Sequence, residues 1–281
     1  MLAYRHLFHA GNFADVFKHA LLCRLVEGLK KKASPFFVLD THAGLGRYDL
    51  THEWAQKNAE FKNGIALVWG RTDVPEAFVP YFDAIRGENA ADTLRFYPGS
   101  TRIVRRLLRP VDRMVLVELN KKDCHSLGAL FGGDRRTTVH LMDGYQALKA
   151  FLPPKERRGL IFVDSSFDRA REFERLAKGL ADAHRRFATG VYAVWYPIME
   201  PLAMRAFERQ ITATGIPKIL QLELSIQPRA YGDGMRGCGL LVINPPFGFE
   251  GEAQAMMAWL QPALSREGGG SRRIHWLVGE R

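Results

Sequence analysis

The sequence predicts an α/β protein built on a mostly parallel, doubly wound, Rossmann-like sheet, and three observations predict it. Five short β-branched or aromatic runs, Phe36–Asp40, Met114–Leu119, Thr137–Asp143, Leu160–Asp164 and Val191–Tyr196, are continuously apolar rather than alternating. That pattern belongs to strands covered on both faces. Amphipathic stretches of helical length, such as Phe173–Phe187, separate them, and strand–helix alternation builds parallel sheets. Two later runs, Lys218–Gln227 and Gly237–Asn244, are joined by the Gly-rich Pro228–Arg236, which reads as a hairpin connection.

Taken in chain order, Met1–Lys32 reads as helical, with a hydrophobic face at Val16, Ala20, Cys23 and Leu25. Asp49 to Tyr97 is polar and aromatic with few strand signals. It reads as an inserted, mostly helical subdomain (49–97) between the two parts of a main domain (1–48 and 98–281). Gly268–Ser271 reads as a turn near the C-terminus. The chain is 47% hydrophobic and 25% charged, enough to bury a core, and carries a formal charge of +10, which points to a polyanionic partner. The longest charge-free stretches, Phe187–Met199 and Gly237–Phe249, fall short of the ~18–20 apolar residues of a membrane span. Arg5, His6, Asp15 and Lys18 interrupt any secretory h-region. Cys23, Cys124 and Cys238 are far apart and form no C-x-x-C, so neither a disulfide framework nor a zinc knuckle is expected; the expected compartment is the cytoplasm.

Three signals carry chemistry. Leu39-Asp40-Thr41-His42-Ala43-Gly44-Leu45-Gly46 directly follows the first strand, where glycines let a cofactor approach the backbone. A tight strand-to-loop turn would read the same way, and Asp49 stands where a dinucleotide fingerprint has its third glycine. The later strands end in acids, Glu118, Asp143 and Asp164. In a doubly wound sheet these converge on one rim, placed to accept from ribose hydroxyls, an adenine amino group and a reacting amine respectively; each alone could equally cap a helix. Finally, Tyr97-Pro98-Gly99-Ser100 precedes a helix with Arg102, Arg105, Arg106 and Arg109 on one face and Ile103, Val104, Leu107 and Leu108 on the other. Ser100 is a natural N-cap, and the arginine stripe is either a solvated face or a phosphate track. His6-x-x-His9 lacks the further ligands of a metal site.

Together with YRHLFHAGNFADVFKH, LDTHAGLGRY, YPGS, Asp143-Gly144 and FATGVYAVWYP, these residues make the chain resemble, over essentially its whole length, the 23S ribosomal RNA adenine-N6 methyltransferases of the large-subunit methyltransferase J type. The resemblance implies a class I methyltransferase fold with a seven-stranded sheet ending in an antiparallel hairpin, an inserted helical subdomain for RNA, and S-adenosylmethionine as the only cofactor, without a metal. It implies His19, His42, Gly44, Gly46, Ser100, Glu118, Asp143, Gly144 and Asp164 as cofactor contacts. It further implies Asp164 and Phe167 as the catalytic pair, and Tyr4 with Arg102, Arg105, Arg106 and Arg109 toward substrate. The implied partner is 23S ribosomal RNA, the implied state a cytoplasmic monomer with no membrane association.

One departure matters. Adenine-N6 methyltransferases place Asp/Asn-Pro-Pro-Tyr/Phe at the fourth strand, whereas this chain has Asp164-Ser165-Ser166-Phe167. Acid, carbonyl and aromatic survive, but the φ restriction of two prolines is lost, which predicts reduced or altered activity. Asn244-Pro245-Pro246-Phe247 matches the missing motif in letters but follows the last strand of the hairpin and reads as a strand-terminating turn. Two other functions fit the sequence: a catalytically impaired nucleic-acid-binding homologue, and a DNA adenine methyltransferase or external-DNA utilisation protein.

Overall fold

The computed structural model describes residues 5–91, 93–167, 171–227, 235, 237–265 and 269–279. A 3₁₀ turn at His6–Phe8 leads into α1 (Phe13–Lys30) and β1 (Phe37–Asp40). A two-stranded antiparallel ribbon of β2 (Arg47–Asp49) and β3 (Phe96–Pro98) brackets α2 (Glu53–Asn58), α3 (Ile65–Val68) and α4 (Val79–Arg86). Next come α5 (Ser100–Leu107), β4 (Arg113–Glu118), α6 (Lys121–Leu130), β5 (Thr137–Leu141), α7 (Gly144–Ala150), β6 (Gly159–Val163) and α8 (Glu172–Arg186). The chain closes with β7 (Val191–Ile198), α9 (Pro201–Ala213), β8 (Ile219–Ser225), β9 (Gly237–Ile243), α10 (Phe249–Leu264) and β10 (Ser271–Val278).

The main sheet runs β10-β8-β9-β7-β6-β1-β4-β5. Strands β5, β4, β1, β6 and β7 are mutually parallel, and β9, β8 and β10 follow with antiparallel pairings. The expected seven strands are therefore eight: Ser271, assigned to a turn, begins an edge strand, while Gly268 lies outside the described residues. The link Pro228–Arg236 likewise lies outside them apart from Met235.

Successive residues of the parallel strands enter opposite cores. Val38, Met114, Leu116, Leu160 and Phe162 pack beneath α1, α5 and α10, while Leu39, Val115, Val117, Ile161 and Val163 pack against α7, α8 and α9. Period-two alternation with both faces covered is why these runs read as continuously apolar. Each fully buried Leu, Ile, Val or Phe contributes about 1.5–3 kcal/mol.

Helix α1 corrects a second expectation. It is buried almost all round, including Asp15, Lys18 and His19, rather than on one stripe. It lies between the sheet, α5 and α10 on one side and α4 of the 49–97 segment on the other, whose Ile65, Val68, Phe78 and Ile85 join the same core. Its start is set by Asn12, whose side chain accepts the Asp15 N–H at 2.9 Å, while Asp15 accepts the Gly11 N–H at 2.8 Å.

Candidate active site

Open α/β sheets bind ligands at the carboxyl ends of their parallel strands, and a cavity lies there. Leaving β1, Gly44 and Gly46 adopt φ of +59° and +77°, the left-handed region that glycine enters without a Cβ penalty. The loop is pinned to both neighbouring strands, since Thr41 Oγ1 donates to the Phe162 carbonyl at 3.0 Å and the Ala43 N–H to the Val117 carbonyl at 2.9 Å. Glu118, ending β4, accepts the Gly44 N–H at 2.9 Å and the Asn120 N–H at 2.7 Å, and burial raises its carboxyl above the usual range. Asp143 caps α7 by accepting the Tyr145 and Gln146 N–H groups at 3.0 and 3.2 Å. Glu118, Asp143 and Asp164 line one cavity with His19, His42, Gly44, Ser100 and Gly144. A Cβ at Gly144 would stand 2.5 Å from the Thr41 carbonyl, so the approach of α7 to the glycine loop depends on that residue having no side chain. Gly46 stands behind the wall, where a Cβ would meet Leu127, Leu130 and Thr101 at 2.9 Å; its task is close packing.

Ser100 has a different role from the one expected. Gly99 is the N-cap of α5, and Ser100 is its first helical residue, buried, donating its hydroxyl to Asp40 Oδ2 at 2.5 Å. Burial pushes the Asp40 carboxyl up to about 7, against the opposing pull of that hydrogen bond. His19 is 2% exposed, and burial lowers its pKa to about 3, so its ring is neutral. Its Nδ1 meets the Tyr97 hydroxyl at 2.9 Å, which in turn meets the Tyr81 hydroxyl at 3.1 Å. Tyr97 donating to Nδ1 places the proton on Nε2, leaving His19 a fixed donor toward an acceptor such as a carboxylate.

A second cavity adjoins the first. It is lined by Asn12, Lys18, Phe167, Phe173 and Trp195, and shares His6, Asp164, Ser166 and Glu172 with the first. Between them Lys18, 3% exposed, reaches Asp164 Oδ2 at 2.7 Å and Asp15 Oδ1 at 2.8 Å, 5.2 Å from the Trp195 ring centre. Burial opposes ionisation of Asp15, but His6 and Lys18 overcome it and hold its carboxyl well below the usual range. Phe167 has φ +53° and packs against Phe173 and Trp195 with ring centres 4.8 and 5.9 Å away.

The arginine stripe is not part of either cavity. Arg102 is paired with Glu88 at 2.8 Å and Arg105 with Asp134. Arg106 lies beside Gly87. Arg109, past the end of α5, binds Asp112 at 2.8 Å and the carbonyls of Lys32 and Ser34, at the opposite edge of the sheet. Tyr4 lies outside the described residues. His6 and His9 contact different acids, Asp15 and Glu60, each at 3.0 Å, and among the described residues no group of three or more potential ligands could hold a metal ion. Asn244-Pro245-Pro246-Phe247 follows β9, which runs antiparallel to β7 with Ile243 opposite Tyr192, so it leaves the sheet at the far edge. There Asn244 donates to the Ala188 and Gly190 carbonyls at 2.8 Å, and Phe247 is 99% exposed.

Residues 33–278 match the family model described as ribosomal RNA large subunit methyltransferase D, RlmJ. The chain belongs to the large-subunit ribosomal RNA methyltransferase J family. It is 42% identical over 280 residues to ribosomal RNA large subunit methyltransferase J of Escherichia coli K12, and 41% identical over 281 residues to the protein of the same name from Haemophilus influenzae, covering 100% of each chain. Among solved structures, a protein from Legionella pneumophila superposes with a TM-score of 0.89 at 38% identity, over 95% of this chain and 98% of that one. Within this family frame, the sequence had missed Asp15, Lys18, Tyr145, Glu172 and Arg175 as parts of the site. The Asn12/Asp15 cap and two charges in an otherwise apolar helix were the available signals for the first two.

Proposed function

We propose that the chain transfers a methyl group from S-adenosylmethionine to the N6 atom of an adenine in large-subunit ribosomal RNA. One observation carries this reading: Asp164 lies on the wall between a cavity with the features of a nucleoside-sulfonium site and a second, aromatic-lined cavity. The first cavity fits S-adenosylmethionine. It offers Glu118 for ribose hydroxyls, Asp143 for an adenine amino group, neutral His19 for the amino-acid carboxylate, and backbone left open by Gly44 and Gly144. Bound there, the cofactor would supply an electrophilic methyl carbon.

The chain's own residues do the rest. Lys18 keeps Asp164 ionised and oriented as an acceptor for an N6 hydrogen, which favours the geometry in which the nitrogen lone pair attacks. Phe167 and Trp195 provide apolar surface for an extruded base. Exclusion of water and alignment carry most of the rate, and the proton leaves after transfer. The 49–97 segment is proposed as an RNA-facing insertion within the single methyltransferase domain; it presents Trp54, 39% exposed, beside Lys57.

The test is transfer of labelled methyl groups to protein-free 23S RNA. Asp164→Ala is expected to lower kcat by about 10²–10⁴ while S-adenosylhomocysteine still binds in a calorimetric titration. Undiminished transfer by that variant, or absence of cofactor binding by the unaltered protein, would overturn the proposal.

A further inference from the structure

The Asp164–Phe167 turn lacks the two prolines that would fix its backbone, yet it ends on a non-glycine residue at φ +53°. A conformation of that kind costs on the order of 1 kcal/mol and persists only where the surroundings determine it. Here the surroundings are a polar cluster that no symmetry of the fold requires. The Tyr145 hydroxyl donates to Glu172 Oε1 at 2.7 Å. Glu172, 6% exposed, opens α8 and accepts from Arg175 at 3.3 Å. Arg175 reaches across to Asp143 Oδ2, also at 3.3 Å, and lies 4.8 Å from the centre of the Tyr145 ring. Ser165 is 4% exposed beside the same hydroxyl. The Tyr145 ring has room because α8 carries Gly179, where a Cβ would come within 2.7 Å of it.

We propose that Tyr145 and Glu172 are positioning residues, which brace the Asp164–Phe167 turn in place of the missing prolines and tie it to the Asp143 cap. The inference rests on the methyl-transfer reading above and adds to it a device for presenting Asp164. Two features separate a brace from ordinary packing. Glu172 lines both cavities, so its displacement opens the wall that holds Asp164. The chain of contacts also runs from α7 to the first residue of α8, spanning the segment that a Pro-Pro pair would otherwise stiffen.

A brace and two prolines are redundant solutions, so their effects must be non-additive. The experiment compares the unaltered protein, Tyr145→Phe, Ser165→Pro/Ser166→Pro and the triple variant in methyl transfer to protein-free 23S RNA. Tyr145→Phe is expected to lower kcat roughly 5- to 20-fold with KM for S-adenosylmethionine changed less than about twofold. In the proline background the same substitution should cost less than about twofold. Equal losses in both backgrounds, or a loss confined to the cofactor KM, would overturn the brace while leaving the activity standing. Should the proline pair fail to fold, judged by its thermal midpoint, Ser166→Pro alone takes its place. If the unaltered protein transfers no methyl group, the functional reading falls instead. The brace is then read from hydrogen exchange of peptides covering Asp164–Phe167, which Tyr145→Phe must accelerate; unchanged exchange refutes it.

Discussion

Lys18 is the group on which the two cavities depend most, and Lys18→Met removes its charge while keeping its length. The ammonium sits 2.8 Å from Asp15 and 2.7 Å from Asp164, with side chains 4%, 1% and 14% exposed in that order. Removing one member of a buried ion cluster typically costs about 3–5 kcal/mol, because it leaves uncompensated charge out of water. In a chain of this size each kcal/mol moves the midpoint by about 2–4 °C, so Tm should fall by about 6–20 °C. Urea titration followed by tryptophan fluorescence measures the loss without screening charges, and the slope m should stay constant. Adding Asp15→Asn should recover more than adding Asp164→Asn, since Asp15 is the more deeply enclosed anion while Asp164 borders both cavities. The cost should also change little between low and moderate salt, as buried pairs are weakly screened. A loss below 1 kcal/mol, or no recovery from either second substitution, would refute the reasoning.

Asp40, raised to about 7 chiefly by burial, makes the folded state the tighter proton binder. Its contribution, on the order of 4 kcal/mol at about 1.4 kcal/mol per pKa decade, is present below pH 4 and lost as pH rises to about 7. His19, lowered to about 3, works in the opposite direction between pH 3 and 6.5, so the measurement is a difference: the stability of Asp40→Asn minus that of the unaltered protein must rise from pH 4.5 to 7.5 and then level. Tyr97→Phe removes the partner of His19 Nδ1 and should weaken S-adenosylhomocysteine binding about 5- to 10-fold by calorimetry, the value of one neutral hydrogen bond. Gly144→Ala places a methyl group 2.5 Å from the Thr41 carbonyl and should abolish measurable cofactor binding, with a drop in thermal midpoint reporting the accompanying strain.

The central strands were legible because burial on both faces leaves an uninterrupted apolar run. Strand β10 was not, since Arg272, Arg273 and His275 alternate with apolar residues along an exposed edge, and β2 and β3 are three residues each. The acidic rim was legible because strand ends are fixed by the same runs. The arginine stripe misled for a physical reason: a phosphate track and an ion-paired face share one pattern, and the pairing acids, Glu88, Asp112 and Asp134, come from three other segments. Lys18 and Asp15 escaped notice because charges in a helix ordinarily mark its solvent face, whereas α1 has almost none. Ser100 kept its importance but changed its partner, since a hydroxyl at a helix start serves equally well against a neighbouring strand's carboxyl.

The burial of α1 on nearly every side has a consequence for biogenesis. Its lysine closes on an aspartate that lies about half the chain further on, and its walls include α10 near the other terminus. On the ribosome, an apolar helix with a charged centre must therefore wait, uncovered, until β6 and then α10 have been synthesised. Contacts of such separation form late and slow folding. Neither cavity has its dividing wall before that moment, so the nascent chain cannot act on the RNA that surrounds it until the last helix has closed over the first.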